Sequence, residues 1–568
     1  MLHGTPPPHS PQRSHGRPPD LGGGSINPAE TRTAQTFWNY HLCVTEPAPE
    51  LRFHTRFFRW WQGLWRGADP DHWLTRFLVL RLLGLLYLMA FLTWVNQGPA
   101  LVGRLGLTPA ASYLGRSAEA LGSRAAGFLQ APSIFWIADS DRVLFGAGWV
   151  GVALSLLVLG GYANALVLLA LWALHLSVCN VGQLWYGFGW EMQLLETGFL
   201  CAFLCPLLDG RPFPRRPPPV IVIWLLRWLI ARIMLGAGLI KLRGDACWRD
   251  LTCLDFHFET QPIPSPLSPF FHALPPAAHK VGVLFNHLVE LVVPFFVFGP
   301  RRARLVAGGC LLALQVILIS SGNLAYLNWL TIIPILACFD DGVWRHLLPR
   351  RLVERALRAA ATAVTSAGQR RAVVTLAAVV AVLSVEPVLN LFSFEQAMNT
   401  TFNRLQLVNT YGAFGSVGRE RDEIVFEGTL DETIGPQTRW TAYEWRCKPG
   451  DPARRPCWMS PYHRRLDWLI WFAAMGQPQQ SPWAVHLAWK LLESDRGALG
   501  LLAGDPFGGQ RPRFVRATLY RYKLAPPRSP VWWERSELGP WLPPLSAQMP
   551  ELRAFLRARG WLADPVAP

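Results

Sequence analysis

The stretch GAGLIKLRGDACWRDLTCLDFHFETQPIPSP, residues 236–266, marks the point where an apolar run ends in a polar loop. The run before it, residues 220–240, has the roughly 20 residues that cross the core of a bilayer. Lys241 and Arg243 follow directly, where long basic side chains could reach the membrane surface. The stretch therefore predicts the exit of a membrane-spanning helix.

The loop after this exit is rich in side chains with specific chemistry. It carries Cys247, Trp248, Cys253 and His257, followed by several prolines. Disulfides form in oxidising compartments such as the lumen of the endoplasmic reticulum. If the loop of residues 241–280 faces that lumen, Cys247 and Cys253 are predicted to pair.

The composition is typical of a membrane protein. Of 568 residues, 51% are hydrophobic and only 16% are charged, against about 25% charged in an average soluble protein. The net charge of +16 comes from Lys and Arg that lie between apolar runs, and no nucleic-acid-binding motif accompanies them. The basic excess therefore indicates membrane topology, and no nucleic-acid partner is expected.

Nine apolar runs predict a polytopic α-helical membrane region over residues 71–392, with an odd number of crossings. They are residues 77–95, 143–160, 163–179, 190–208, 220–240, 281–298, 305–321, 324–339 and 372–392. Several are short, and the pairs around residues 161 and 322 could be re-entrant, which would lower the number of full crossings.

Arginine clusters between the runs indicate which side each loop faces, because short cytoplasmic loops carry an excess of Lys and Arg. Three such clusters lie in residues 211–216, 301–304 and 345–371. When nine spans are counted, all three are on the same side of the membrane as the N-terminus. We therefore expect a cytosolic N-terminus and a lumenal tail. Residues 1–70 are expected to be a disordered, basic cytosolic segment without a signal peptide.

Two features of the tail agree with a lumenal position. Asn399 begins an Asn-Thr-Thr sequon just past the last apolar run, where a glycan would need the lumenal side. Cys447 and Cys457 frame the loop CKPGDPARRPC, which suits a local disulfide.

Residues 393–568 are predicted to form a lumenal C-terminal domain with an α+β or β-sandwich-like fold. Alternating patterns predict strands at residues 423–430, 439–447 and 516–524. Apolar periodicity predicts helices at residues 465–475, 483–494 and 551–561. The many tryptophans of this domain should mostly be core, although an apolar client-binding surface would also need large aromatic side chains.

Charged side chains inside apolar runs are costly in a bilayer and are therefore functional candidates. Glu191 and Glu196 are five residues apart, as are Arg227 and Arg232, so two Glu–Arg pairs could form between adjacent helices. Structural ion pairing is the favoured interpretation over a proton relay or a cofactor site.

His287 and Glu290 stand three residues apart on one helix face, a spacing that could hold a metal ion. Further ligands are missing, so no metal is predicted. The sequence also has no G-x-S-x-G, H-E-x-x-H, Walker or C-x-x-C motif. It is therefore predicted to need no cofactor and not to be an enzyme.

Several long segments, in this order, together resemble the lipase maturation factors. They are WYGFGWEMQLLETGFL (residues 185–200), the stretch of residues 236–266, SGNLAYLNWLTIIPILACFDD (321–341), NTYGAFGSV (409–417), and CKPGDPARRPC with SPYHRRLDWLIWFAAM (447–475). The resemblance spans roughly residues 73–561 and does not extend to the first 70.

The resemblance implies a multi-pass protein of the endoplasmic reticulum membrane that helps secreted homodimeric lipases reach their active form. Lipoprotein lipase, hepatic lipase and endothelial lipase would be its clients, engaged by the lumenal domain. Membrane lipid and other folding factors of the endoplasmic reticulum would be further partners. The family is usually drawn with five spans, against the nine runs counted here.

Two other functions remain open at this point. A membrane-embedded enzyme, redox-linked through lumenal cysteines, could use the buried Glu, Arg and His groups. A transporter is the second alternative function, although no convincing inverted repeat is present.

The topology can be tested on intact microsomes. We expect the tail to resist added protease and to shift in mobility on glycosidase treatment, with the shift abolished by Asn399→Gln. Digestion of the tail without detergent would contradict the lumenal assignment.

Overall fold

The computed structural model describes residues 71–562, and the predicted N-terminal segment of residues 1–70 lies outside this range. Helices dominate residues 71–392. In chain order they are α1 (Trp73–Val102), α2 (Ala110–Leu121), α3 (Arg124–Gln130), α4 (Asp141–Gly160), α5 (Ala165–Val181), α6 (Gly189–Ala202), α7 (Val220–Arg243), α8 (Ala246–Arg249), α9 (Leu254–Thr260), α10 (Ser268–His272), α11 (Pro276–His287), α12 (Val293–Phe296), α13 (Arg301–Ser321), α14 (Leu327–Leu336), α15 (Asp341–Leu347), α16 (Arg350–Ala361), α17 (Ala367–Leu383) and α18 (Val385–Phe392).

Five helical stretches within residues 71–562 are long and apolar enough to cross a membrane. They are α1, α4, α7, α13, and α17 with its continuation α18, and each has between 20 and 30 residues. The other four predicted runs are helical but shorter or interrupted: α5, α6, α14 and the α11–α12 segment. Nine full crossings are therefore not confirmed, and helix length supports five.

The α11–α12 segment shows why an apolar run need not give one straight span. A π-helical turn, Leu288–Val292, separates the two helices. Pro294 then stands in the first turn of α12, and proline has no N–H to continue the helical hydrogen-bond pattern. The run of residues 281–298 is consequently broken in its middle.

One end of the helical region gathers the predicted arginine clusters, and we name it the arginine face. The Asp341 carboxylate accepts a hydrogen bond from the backbone N–H of Trp73 at 2.9 Å. The Asp340 carboxylate binds Arg301 at 2.7 Å and Arg304 at 3.1 Å. The beginnings of α1, α13 and α15 therefore lie together at this face.

The opposite end carries the loop with Cys247, and we name it the cysteine-loop face. Arg243, at the end of α7, donates to the carbonyl of Leu391 at 2.7 Å. Ser268 donates to the carbonyl of Ser321, at the end of α13, at 2.6 Å. The ends of α7, α13 and α18 therefore meet at this face.

The short helix α14 connects the same two faces. It is preceded by Ser321 at the cysteine-loop face and followed by Asp340 at the arginine face. Its ten residues make a helix of about 15 Å at ~1.5 Å per residue. The chain therefore passes between the faces with a helix shorter than a full span.

The rest of the described chain combines a sheet with helices. The strands are β1 (Thr400–Thr401), β2 (Asn409–Thr410), β3 (Arg421–Thr429), β4 (Thr441–Ala442), β5 (Phe514–Leu524) and β6 (Trp533–Leu545); the helices are α19 (Arg465–Ala473), α20 (Pro482–Leu492), α21 (Arg496–Leu501) and α22 (Pro550–Ala558). One antiparallel sheet has the order β4-β3-β5-β6, and β1 pairs separately with β2. This is the α+β arrangement rather than a sandwich of two sheets.

One strand prediction needs correction, and one strand was missed. In residues 439–447, predicted as a full strand, only Thr441–Ala442 forms a strand, which pairs with β3. Further along, Trp445 is buried, and its indole N–H donates to the carbonyl of Ile424 at 3.0 Å. Strand β6 was not predicted, since its glycine and prolines disfavour a strand. Its position at the sheet edge makes them tolerable.

The two predicted cysteine pairs lie at the separations that disulfides require. The Cα atoms of Cys247 and Cys253 are 4.7 Å apart, and those of Cys447 and Cys457 are 5.4 Å apart. The second pair also joins two regions of the fold. The N–H of Cys447 donates to Asp467 of α19 at 2.6 Å, and the side-chain amide of Asn323 donates to the carbonyl of Cys457 at 2.9 Å.

We expect the double substitution Cys447→Ser with Cys457→Ser to lower the free energy of unfolding by about 2–4 kcal/mol, because a short disulfide loop would be opened. Thermal unfolding of the purified full chain in detergent measures the effect, and non-reducing mass spectrometry verifies the bond. Cys310→Ser, at a half-buried free thiol, is the control. Free thiols at residues 447 and 457 in the parent protein would contradict the prediction.

Candidate functional site

One of the two predicted Glu–Arg pairs is formed, between Glu196 and Arg232, and both side chains are buried. The other oxygen of the Glu196 carboxylate accepts a hydrogen bond from the backbone N–H of Asn409 at 3.0 Å and from the Tyr411 hydroxyl at 2.7 Å. Arg232 donates to the carbonyl of Asn409 at 2.7 Å. This ion pair therefore connects α6 and α7 and also holds strand β2 against them.

Glu191 forms no pair with an arginine of α7 and instead pairs with an arginine far away in the sequence. Glu191 binds Arg465, the first residue of α19, with 2.6 Å between Nη1 and Oε1. The same carboxylate accepts hydrogen bonds from the Tyr326 hydroxyl at 2.6 Å and the Trp190 indole at 2.8 Å, and His175 lies 3.2 Å away. A glutamate of the helical region thus fixes a helix of the C-terminal region.

Helix geometry explains why Arg227 is not the partner of Glu191. Five residues along a helix correspond to a rotation of about 140°, so Arg227 and Arg232 leave α7 in different directions. The Arg227 guanidinium donates instead to the carbonyl of Ala337 at 2.9 Å, at the arginine-face end of α14. The predicted pairing of Arg227 with a glutamate is therefore wrong.

Arg465 is held on several sides. It has no exposed surface, it donates to the carbonyl of Trp185 at 2.8 Å, and its guanidinium lies 3.9 Å from the ring centroid of Tyr186. Burial alone disfavours a charged guanidinium, but the facing Glu191 carboxylate raises the pKa of Arg465 above its usual range. The ion pair is therefore charged on both sides.

Aromatic rings surround this ion pair and complete the interface. Trp190 of α6 contacts Trp468 of α19 edge to face, with ring centroids 5.0 Å apart, and His463 lies 5.2 Å from Trp190. Burial, together with the nearby Arg465, lowers the pKa of His463 well below its ordinary value. His463 is therefore neutral and packs as an aromatic ring.

His287 and Glu290, which share a helix face in the sequence, each contact a different partner. Glu290 binds Lys241 at 2.6 Å, and a ring nitrogen of His287 lies 3.0 Å from the carbonyl of Trp248. The π turn that begins at Leu288 alters the spacing expected for a regular helix. Lys241 is accordingly buried rather than extended towards the membrane surface.

A different trio, His175, Cys179 and Glu191, brings three possible metal ligands within 4.8 Å of one another. The Glu191 carboxylate already faces the Arg465 guanidinium and two further donors. A metal cation would have to lie beside a buried positive charge, which its own charge opposes. The trio therefore acts as part of the ion-pair network.

Asn399 lies against the helical region. It is half-buried with φ of 50°, and a Cβ built at Gly189 would come within 2.3 Å of its side-chain oxygen. Glycine at residue 189 therefore makes room for Asn399 at the beginning of α6.

Comparison with known proteins identifies the family. A family model described as "Lipase maturation factor transmembrane domain" matches residues 74–346, and one described as "Lipase maturation factor C-terminal domain" matches residues 407–543. The chain belongs to the lipase maturation factor family. Glu191 and Glu196 lie in the first matched range, and Asn409, Tyr411 and Arg465 lie in the second, so the network joins the two family domains.

Named relatives support the same assignment. The chain is 48% identical to bovine (Bos taurus) lipase maturation factor 1 over 515 residues, which cover 86% of this chain and 91% of the relative. Human (Homo sapiens) lipase maturation factor 1 is 47% identical over 87% of this chain and 92% of its own. Human lipase maturation factor 2 is only 28% identical, over 86% of this chain and 85% of its own. No solved structure matches the chain.

Most partners in this network were not predicted from the sequence, including Arg465, Tyr326, Asn409, Tyr411 and His175. The segment of residues 465–475 was correctly predicted as helical, but no partner was predicted for Arg465. The signal that was available is the position of Arg465 at the start of a Trp-rich apolar helix.

We expect Glu191→Gln to lower the free energy of unfolding by about 3–5 kcal/mol, because it leaves Arg465 buried without its counter-charge. Thermal unfolding of the full chain in detergent measures this loss. Glu432→Gln is the matched control, because Glu432 is exposed and its ion pair with Arg513 is long, at 3.9 Å. This substitution should change the free energy of unfolding by no more than about 0.5 kcal/mol.

The double substitution Glu191→Met with Arg465→Met should recover part of the loss, because both charges are then removed together. If Glu191→Gln were as stable as the Glu432→Gln control, the ion pair would not hold the interface.

Proposed function

We propose that this chain is a maturation factor for secreted lipases, which it holds until they assemble into active dimers. The supporting observation is the similarity to lipase maturation factor 1 of cattle and humans over about nine tenths of each relative. Lipoprotein lipase, hepatic lipase and endothelial lipase are the proposed clients. The proposed site is the membrane of the endoplasmic reticulum, where other folding factors could act beside it.

The proposed topology has the arginine face in the cytosol and the cysteine-loop face in the lumen. The arginine clusters at one face support it, since basic residues are retained on the cytoplasmic side. Asn399 and both cysteine pairs, which we propose to be a glycosylation site and two disulfides, belong to the opposite side. The proposed domains are residues 1–70, 71–392 and 393–568.

The proposed role of the intramembrane charges is structural. Glu191 is occupied by Arg465 and by two hydroxyl or indole donors, and Glu196 by Arg232, Asn409 and Tyr411. A carboxylate that is saturated in this way has no free position to exchange a proton with a substrate. The contacts therefore favour a maturation factor over the membrane-embedded enzyme.

We propose that clients contact exposed apolar side chains of the C-terminal region near Trp458. Most tryptophans there are buried, including Trp445, Trp468 and Trp533, whereas Trp458 is 51% exposed. It directly follows Cys457, whose carbonyl is bound by Asn323 at the cysteine-loop face. An exposed aromatic side chain on a fixed loop is the kind of residue that dominates binding energy at interfaces.

The test is rescue of lipase activity in cells that lack the endogenous protein. The parent chain should restore the specific activity and the dimer fraction of secreted lipoprotein lipase. Trp458→Ala should restore several-fold less at equal expression, because loss of an aromatic anchor costs about 2 kcal/mol or more. Leu538→Ala is the control, since Leu538 is similarly exposed at 47% but lies on the edge strand β6.

Failure of the parent chain to restore any secreted lipase would refute the proposed function. Equal rescue by Trp458→Ala and Leu538→Ala would refute only the proposed client surface.

A further inference from the structure

A cavity of about 520 Å³ lies between the helical region and α19. Helices α6, α7, α13 and α14 line it on one side, and Trp468, Trp471 and Phe472 of α19 line it on the other. Ile233, Leu318 and further apolar side chains form much of its wall. Its size is within the roughly 300–1,000 Å³ of small-molecule pockets, and no role in lipase assembly accounts for it.

Four side-chain amides line this cavity, and those of Gln193, Gln315 and Asn328 are almost fully buried, whereas Asn399 is half-buried. Gln193, with no exposed surface, donates to the Thr331 hydroxyl at 3.1 Å, and its side-chain oxygen has no hydrogen-bond partner among residues 71–562. Gln315 and Asn328 line the same space at 2% and 5% exposure. A buried amide without a partner costs free energy. These amides therefore provide hydrogen-bonding positions for a ligand with a polar, uncharged group.

The charges around the cavity disfavour an anionic ligand. Lys241 is the only cation that lines it within the described part of the chain, and Glu290 neutralises it at 2.6 Å. Glu420 and Asp422 line it as well, and both bind Arg521. A phosphate group would meet three acidic residues, Glu290, Glu420 and Asp422, and no unpaired cation.

The exposed cavity wall has an apolar part, beside the polar Ser416 and Glu420, and this part follows the last membrane helix in the chain. Met398, Phe472 and Met475 line the cavity and are 45%, 44% and 62% exposed. Phe392 ends α18, and Phe394 follows it, with 77% and 93% of their surfaces exposed. Exposed aromatic residues at the end of a membrane helix are typical of the bilayer interface. The bilayer is therefore the source that this surface favours.

We propose that the cavity binds one neutral lipid from the membrane, with its hydroxyl or ester group at the amides of Gln193, Gln315 and Asn328. The acyl chain lies along the apolar wall towards Trp471. The lipid enters past Met398. Because the lipid contacts α6, α7 and α19 together, it fills the interface that the Glu191–Arg465 ion pair holds closed.

The proposal is tested with two photoreactive lipids, a monoacylglycerol and a phosphatidylcholine, on the full chain in nanodiscs. The monoacylglycerol should label peptides that contain Leu318 or Trp471, and excess unlabelled monoacylglycerol should compete. Phosphatidylcholine should label these peptides at least tenfold less.

The double substitution Gln315→Leu with Asn328→Leu should reduce monoacylglycerol labelling about tenfold. A hydrogen bond contributes at most about 1.4 kcal/mol, and this free energy corresponds to a factor of ten in affinity. Ala237→Phe, which fills the cavity, is a second variant in case the first does not fold. Gln369→Leu, an amide remote from this cavity at the beginning of α17, is the control.

Four outcomes would overturn the proposal. They are labelling outside the cavity, equal labelling by both lipids, unchanged labelling in both cavity variants, and native mass spectrometry that finds no lipid bound to the chain.

Discussion

The buried ion pair between Glu191 and Arg465 is the interaction on which the arrangement of this molecule depends. The two residues are 274 positions apart and belong to different family domains. A charge of either sign in this interior would be very unfavourable alone, and the pair is tolerated because each supplies the other's counter-charge. Helix α19 must therefore be in place for α6 to be stable, and the C-terminal region is part of the same compact unit as the helices.

This dependence changes how the C-terminal region should be studied. A truncation after Tyr443 would remove Arg465 and leave Glu191 buried without its partner. It would also remove α19, against which the Trp190 ring packs. Loss of lipase maturation in such a truncation would report a damaged helical region as much as a missing client surface. Point substitutions at exposed residues separate the two effects, because they leave the ion pair intact.

The sequence predicted the apolar helices, the arginine clusters and two strands well, because each is a local pattern. It predicted two Glu–Arg pairs between adjacent helices, of which only Glu196 with Arg232 forms, since the rotation of side chains around α7 sends Arg227 elsewhere. It did not predict the pair of Glu191 with Arg465. Strand β6 was missed because its prolines are acceptable only at a sheet edge, which depends on the order of strands. The cavity could not be predicted, because its buried amides, Gln193, Gln315 and Asn328, come from three different helices.

The central claim is that the Glu191–Arg465 pair holds α19 against the helical region, and hydrogen exchange of backbone amides tests it most directly. In nanodiscs, Glu191→Gln should accelerate exchange in α19 by about a hundredfold or more, as expected for a loss of about 3–5 kcal/mol at roughly 1.4 kcal/mol per factor of ten. Strands β3 and β5, which pair over nine residues, should keep their protection. Unchanged exchange in α19, or equal acceleration in these strands, would contradict the account.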